Sequence, residues 1–91
     1  MSRRLIYLPS AEFDLAAIYD LIAADSPSAA LDFIADIRER CEPLADFPLM
    51  GRALDDTVHR ISFDRRVTVF YAFDKATVWI SAIRHRGRRF P

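Results

Sequence analysis

The strongest constraint on the fold is a short break between two stretches whose apolar residues recur at helical spacing. The break is the tetrapeptide DSPS at positions 25–28, where Ser26 is expected to cap a helix that has Pro27 at its first position. The preceding helix is predicted over residues 11–24, with Ser10 as its N-cap. Because only a few residues separate the two helices, they must form an antiparallel hairpin.

Each predicted helix presents one apolar stripe to the core. In the first helix the stripe consists of Ala11, Leu15, Ile18 and Ile22, widened by Phe13, Ala17 and Leu21. In the second helix it consists of Ala30, Phe33, Ile34, Ile37, Cys41 and Leu44, and the opposite side carries Asp32, Asp36, Glu39 and Arg40. Pro43 is expected to end or kink the second helix, since it lacks a backbone donor and clashes with the preceding turn.

The last third of the chain changes to strand periodicity. A polar loop at 51–56 is followed by predicted strands at 58–63, 66–73 and 77–84, and a short strand at 4–8 precedes the helices. The second of the three late strands is almost continuously apolar, as expected for a strand buried on both faces. In the last strand, Val78, Ile80 and Ala82 alternate with Trp79, Ser81 and Ile83. The order β-α-α-β-β-β predicts an α+β two-layer sandwich, a helical hairpin packed on a small antiparallel sheet.

Chain length and composition predict one domain over residues 1–91. The 91 residues are 52% hydrophobic, but a domain this small buries only about 60–65% of the surface of its unfolded chain. A partner that covers apolar surface would therefore add stability. The sequence shows no secretory leader and no membrane-spanning run, and the lone Cys41 fits a reducing compartment. A soluble, cytoplasmic protein is expected.

The net charge of zero conceals a division along the chain. Residues 1–57 contain five basic and eleven acidic residues, a net charge of −6, whereas residues 58–91 contain eight basic and two acidic residues, a net charge of +6. The second half is rich in arginine, which makes bidentate contacts with phosphate and carboxylate groups. Either this half meets an acidic partner, or the two halves neutralise each other within the fold.

Composition argues against most cofactor chemistry. The chain has two histidines, His59 and His85, and its one cysteine lies on an apolar helix face, so no metal site is expected. With Gly51 and Gly87 as the only glycines, there is no glycine-rich phosphate loop. No cofactor is predicted.

Several segments together resemble the RelE/ParE toxin superfamily, nearer to its ParE-like branch. They are IYDLIA, SPSAALDFI and LADFPLMGR in the helical half, RRVTVFYAF in the central strand, and ISAIRHRGR in the closing strand, where His85 and Arg88 form a His-x-x-Arg arrangement. The resemblance spans almost the whole chain. It implies the toxin of a type II toxin–antitoxin pair, silenced by a ParD-like antitoxin whose C-terminal segment wraps around it.

The resemblance implies two alternative activities. ParE-like members inhibit DNA gyrase by binding, whereas RelE-like members cut messenger RNA in the ribosome. A nuclease would need an acid–base pair and cations at the phosphate, for which His85, Arg66 and Arg60 are the candidates, with further charge from Arg65, Arg84 and Arg86. Against it, the resemblance implies an additional tyrosine or histidine at the end of the last strand of a RelE-type nuclease, and the matching positions here are Arg89 and Phe90. A degenerate, non-toxic module that binds the antitoxin is a third alternative.

The sequence therefore favours a gyrase-binding toxin without catalytic residues. The residues predicted to contact the target are Arg84, His85, Arg86, Arg88 and Arg89, with Arg60 and Arg66 as supporting candidates on neighbouring strands. Trp79 and Phe90 are candidate anchors of the contact, although packing beneath the helices or an antitoxin segment is the favoured explanation for Trp79. Direct contact with duplex DNA is expected to be secondary, because both helices have acidic outer faces.

Overall fold

The computed structural model describes residues 2–86, in which two helices cover one face of a five-stranded sheet. The elements follow one another as β1 (Arg4–Tyr7), α1 (Pro9–Ala23), α2 (Pro27–Cys41), β2 (Arg52–Ala53), β3 (His59–Phe63), β4 (Val67–Phe73) and β5 (Thr77–His85), with 3₁₀ turns at Glu42–Ala45 and Pro48–Met50. The predicted α+β architecture, a helical hairpin on a sheet, is confirmed.

Strand pairing differs from the prediction in two places. The strand order is β1-β5-β4-β3-β2, and β1 runs parallel to β5, with Arg4 beside Thr77 and Tyr7 beside Ile80. The sheet is therefore mixed, because the first strand pairs with the last one and not with a neighbour along the chain. In addition, the segment predicted as a polar loop contains β2, which pairs antiparallel with β3. Two residues are too few to show strand alternation in a sequence.

The residues at the start of each helix differ in how they were predicted. Helix α1 begins at Pro9 behind an extended Leu8, so the prediction of Ser10 as N-cap is wrong. The Ser10 hydroxyl instead donates to the carbonyl oxygen of Ser81 at 2.6 Å. For α2 the prediction is confirmed, because the Ser26 hydroxyl accepts the N–H of Ala29 at 3.2 Å. Helix α2 ends at Cys41, and Pro43 lies in the 3₁₀ turn that follows.

The core lies between the helical hairpin and the sheet. Buried helical residues are Ala11, Leu15, Ile18, Ala30, Ile37 and Cys41, to which the first 3₁₀ turn adds Leu44. The predicted widening of the α1 stripe is wrong, because Phe13 is 75% exposed and Leu21 is 43% exposed. Only a narrow stripe of α1 contacts the sheet, and Phe13 and Leu21 lie beside this stripe and are left in solvent.

Cys41 fills the core, as its position on the apolar stripe predicts. Its side chain is fully buried, and burial raises the pKa of the thiol to about 11. Burial also raises the pKa of the neighbouring Tyr7 hydroxyl, with a further upward contribution from Cys41. The guanidinium of Arg38 lies 4.7 Å from the centre of the Tyr7 ring and closes this corner of the core.

The two faces of the sheet are unequal. On the face toward the helices, Val67, Val69 and Tyr71 of β4 are buried, whereas Thr68 and Phe70 between them are half-buried. The prediction that this strand is buried on both faces is therefore wrong. We call the other side of the sheet the open face; it carries Ile6, Phe70, Ala72, Trp79 and Ala82 together with Arg52, Arg60, Ser62, Thr68 and Arg84.

A β-bulge changes which residues of β5 face the core. Tyr71 pairs with Ile80 and Phe70 pairs with Ala82, so Ser81 is an extra residue in β5. Strict alternation would put Ile83 opposite to Ile80, but after the bulge both are buried beneath the helices. Ala82 moves to the open face. The simple alternation predicted for this strand is thus correct only as far as Ile80.

The turn between β3 and β4 has positive φ angles at both of its central residues, a conformation that arginine rarely adopts. Asp64 and Arg65 have φ angles of 54° and 61°, and the N–H of Arg66 donates to the Phe63 carbonyl at 2.9 Å. Two central residues with positive φ are the pattern of a type I′ turn, which favours Asp-Gly. Arg40 of α2 holds the turn through an ion pair with Asp64 at 2.9 Å.

We therefore expect Arg65→Gly to stabilise the protein by about 0.5–1 kcal/mol, because glycine adopts positive φ without a Cβ penalty. Chemical denaturation followed by circular dichroism measures the change. The matched control is Arg65→Ala, which removes the same guanidinium and keeps the Cβ. Equal stabilities of the glycine and alanine variants would contradict the assignment of strain to this residue.

Candidate target-binding surface

The open face of the sheet combines apolar side chains with arginines. Ile6, Trp79 and Ala72 lie in one row across three strands, because Ile6 pairs with Trp79 and Trp79 with Ala72. Phe70 and Ala82 form the next row. All five are half-buried, so Trp79 is neither fully packed nor fully exposed. Arg52 and Arg60 stand on the side of this face that carries β2 and β3, Arg4 stands on β1 at the other side, and Arg84 stands at the far end of β5.

Arg84 is held at the end of β5 by a residue that the sequence did not identify. Its guanidinium contacts the Asp14 carboxylate at 3.1 Å, and the same carboxylate oxygen accepts the N–H of Ile83 at 2.8 Å. Among the described residues, β5 has no strand partner beside Ser81 to His85 on the β1 side. Polar residues of α1, Asp14 and Ser10, satisfy backbone groups at this edge instead. An aspartate next to the core residue Leu15 was the only available signal.

His85 lies on the side of the sheet that faces the helices. It pairs with Val67 in the sheet, and its ring meets the Phe33 ring of α2 edge-on, with centroids 5.3 Å apart. With Asp14, Ile18 and Leu21 it borders a concavity of about 240 Å³ between α1 and the end of β5. The imidazole is therefore half-buried among helix residues.

Two of the three residues proposed for a nuclease lie on opposite sides of the sheet. Arg60 pairs with Phe70 on the open face, which is the opposite side of the sheet from His85. Arg66 is exposed immediately before β4, and its carbonyl accepts the N–H of Arg86, so its backbone lies beside that of His85. An acid–base group and its cations must surround one phosphate, and His85 and Arg60 do not converge in this way.

The remaining predicted contact residues lie at the C-terminal end. Arg86 is exposed, and its backbone N–H donates to the Arg66 carbonyl at 2.7 Å, which links the last described residue to the start of β4. Arg88 and Arg89 lie outside the described residues, as does Phe90. Of the predicted contact residues at the C-terminal end, the structure therefore describes Arg84 and Arg86 as exposed, with His85 turned toward the helices.

Exposed apolar side chains form two further concave areas that sequence reasoning did not single out. Phe47, Leu49 and Met50, on and beside the second 3₁₀ turn, border a concavity of about 490 Å³ together with Arg3 and Phe73. A groove of about 410 Å³ runs between the outer sides of α1 and α2 and includes Leu31. Over residues 2–86, no set of three His, Cys, Asp or Glu side chains converges as metal ligands. In the same range, neither helix has the length and apolar content to cross a bilayer.

Comparisons with known proteins agree with the resemblance in the sequence. A comparison with curated proteins found no match. Among solved structures, a chain of the chromosomal ParDE toxin–antitoxin system from P. aeruginosa superimposes with a TM-score of 0.80 at 23% identity, covering 93% of this chain and 97% of that one. A chain of the toxin–antitoxin complex RelBE2 from Mycobacterium tuberculosis gives a TM-score of 0.65 at 20% identity, covering 94% and 100%. At these identities the two structures show a shared fold.

The match to a protein family is more specific. The model of the ParE toxin of the type II toxin–antitoxin system parDE matches residues 5–90. This range includes both helices, all of the sheet except Arg4, and the arginine-rich end. The chain therefore belongs to the ParE toxin family of type II toxin–antitoxin systems.

Proposed function

We propose that this ParE-type toxin inhibits DNA gyrase by non-covalent binding. The contact residues are Arg84, His85, Arg86, Arg88 and Arg89, with Arg60 and Arg66 in support. The observation that favours binding over bond-making is the separation of His85, packed on Phe33, from Arg60 on the open face. Guanidinium groups need no acid–base partner to make charge-assisted hydrogen bonds with an acidic surface. The net charge of +6 in residues 58–91 supports a target of opposite charge.

We further propose that a ParD-like antitoxin neutralises the toxin by covering apolar surface. Both structural neighbours come from toxin–antitoxin systems. Phe13 and Leu21 of α1 and Leu31 of α2 are exposed, and Leu31 borders the groove between the helices. An amphipathic segment laid in this groove would bury Leu31, which the domain leaves in water.

One paired experiment separates the proposed activity from its alternatives. Purified toxin is added to a gyrase supercoiling assay and, separately, to a translation reaction in which primer extension locates cuts in the message. Blocked supercoiling with an intact message is the expected result. Codon-positioned cuts with normal supercoiling would identify a RelE-like nuclease, and activity in neither assay would favour a degenerate module that only binds the antitoxin.

Loss of two arginines near the end of the chain should weaken inhibition. We expect Arg86→Ala with Arg89→Ala to raise the toxin concentration needed for half-inhibition by roughly tenfold or more, because hydrogen bonds from charged groups contribute about 1.5–3 kcal/mol each. The supercoiling assay measures this concentration. Alanine at position 86 retains the backbone hydrogen bond to Arg66, so the fold should be unaffected.

The control for this variant is Arg4→Ala, which removes one exposed guanidinium from β1. It should inhibit gyrase like the natural protein, and all variants should bind the antitoxin with nearly unchanged affinity. Full inhibition by the double variant would leave these arginines with a role in solubility only.

A further inference from the structure

Two arginines face each other across the ladder between β2 and β3. Arg52 and Arg60 are direct partners in this antiparallel pair, so their Cα atoms are separated by about 4.5–5.5 Å. Both side chains are exposed and lie on the open face. Like charges directly opposite each other destabilise a sheet. The chain thus retains a local arrangement that opposes its own folding, which is typical of residues kept for binding.

Neither guanidinium is neutralised within the described chain. Arg38, Arg40 and Arg84 each have a carboxylate oxygen within 3.2 Å. Over residues 2–86, no carboxylate forms an ion pair with Arg52 or Arg60. The positive charge between β2 and β3 is therefore available to an external anion.

The two arginines border a concavity of about 300 Å³ that also includes Met50 and Ser62. The Ser62 hydroxyl lies 3.0 Å from the Thr68 hydroxyl. Either hydroxyl can donate in this bond, and when Thr68 donates, the hydrogen of Ser62 is free to be donated to a ligand in the concavity. The concavity thus combines two guanidinium groups with one hydroxyl that can donate.

The backbone beneath this concavity is fixed by contacts that do not involve the arginine side chains. The N–H of Gly51 donates to the Tyr71 hydroxyl at 3.0 Å, and this hydroxyl donates to the Pro48 carbonyl at 2.6 Å. Gly51 also packs closely against the backbone of Arg60. The position of β2 beside β3 is therefore set before any ligand arrives, which lowers the entropy that binding must remove.

We propose that Arg52, Arg60 and Ser62 form a binding site for a phosphate monoester dianion. Two guanidinium groups match its two negative charges, and the added hydroxyl matches its third terminal oxygen. A carboxylate has one charge and two oxygens, which a single arginine satisfies in a bidentate contact. The site shares Arg60 with the proposed gyrase-binding surface but does not depend on gyrase, because the isolated toxin should bind the phosphate.

The test is a titration of the full 91-residue chain with inorganic phosphate at pH 7.5 and constant ionic strength. Two-dimensional ¹H–¹⁵N NMR follows the backbone amides. We expect saturable shifts centred on Arg52, Arg60 and Ser62. Arg52→Gln and Arg60→Gln should each weaken binding by roughly tenfold or more, whereas Arg4→Gln, with the same charge change on the opposite sheet edge, should leave it unchanged. Equal losses in all three variants, or shifts that do not saturate, would overturn the site.

Two further measurements make the result specific. With a nucleoside monophosphate as the ligand, binding should weaken at pH 5.5, because the second ionisation of a phosphate ester has a pKa of about 6 and the dianion is then a minority; pH-independent binding would contradict recognition of the dianion. In phosphate-free buffer the glutamine variants should unfold at midpoints no lower than that of the natural protein, since they remove a like-charge pair. Lower midpoints would mean that the arginines serve stability.

The source of the phosphate is distinguished by comparing one short oligonucleotide with and without a 5′-phosphate, alongside a nucleoside monophosphate. Tighter, Arg60-dependent binding of the phosphorylated oligonucleotide would identify a nucleic-acid end. Equal binding of inorganic phosphate and the monophosphate, with no gain for the oligonucleotide, would identify a small phosphate ligand. Equal binding of both oligonucleotides would overturn the monoester assignment in favour of backbone charge alone.

Discussion

Alanine at position 51 is expected to lower the free energy of unfolding by about 1–3 kcal/mol, because it overpacks a junction that has no spare volume. A Cβ on Gly51 would collide with the carbonyl oxygen of Arg60 and lie 2.6 Å from the Tyr71 hydroxyl. The first of these atoms belongs to the backbone of β3 and cannot rotate away. The cost therefore comes from displacing β2 from β3, and chemical denaturation measures it.

A double-mutant cycle with Tyr71→Phe tests this explanation. In the natural protein, Tyr71→Phe should cost about 1–3 kcal/mol, because the Gly51 N–H and the Pro48 carbonyl lose their partner. In the Gly51→Ala background the same change also removes one collision, so its cost should be smaller by at least about 0.5 kcal/mol. Strictly additive costs would mean that position 51 and the Tyr71 hydroxyl do not contact each other.

Replacement of Ile37 by alanine should have the larger effect, a loss of about 2–5 kcal/mol in the free energy of unfolding. Ile37 is 2% exposed and belongs to the cluster that joins α2 to the sheet. Its removal leaves a cavity beneath the helix that the sheet cannot fill. Since a domain of this size has a total stability of only about 5–15 kcal/mol, the variant should populate unfolded chains at lower denaturant concentrations.

Leu31→Ala is the matched control, because it removes the same number of carbon atoms from the same helix. Leu31 is 61% exposed, so its change should stay within about 0.5 kcal/mol. With antitoxin present, however, Leu31→Ala should weaken the complex if a partner segment covers the groove between the helices. Similar losses of stability in the two free variants would show that the core is not centred on the inner face of α2.

Local patterns in the sequence were sufficient to predict helix α2. The Ser26 cap, the start at Pro27 and the apolar stripe through Ala30, Ile37 and Cys41 depend on residues within one or two helical turns of each other. The same spacing that lets these side chains meet on a helix makes them visible as a pattern. The family resemblance also came from such segments, and the match over residues 5–90 agrees with it.

The sequence was less informative about the sheet, because strand pairing joins residues that are far apart in the chain. No local pattern indicates that Arg4 lies beside Thr77 in a parallel ladder. The bulge at Ser81 shifts the alternation of β5 by one residue, so Ile83 is buried although strict alternation puts it on the open side. The exposure of Phe13 has a similar origin, since only the docked position of α1 decides which flank of its stripe meets the sheet.

The candidate site divides in the same way. The order of residues in the sequence by itself determined that the second half of the chain is arginine-rich and that a single histidine, His85, lies among the last arginines. Only the tertiary structure decided that His85 packs against Phe33 on one side of the sheet while Arg60 lies on the other, opposite Arg52. The physical reason is that a residue's charge is a property of its type alone. The side of the sheet on which its side chain lies, and the residues that it contacts, depend on the register of the strands and on the helices packed on them.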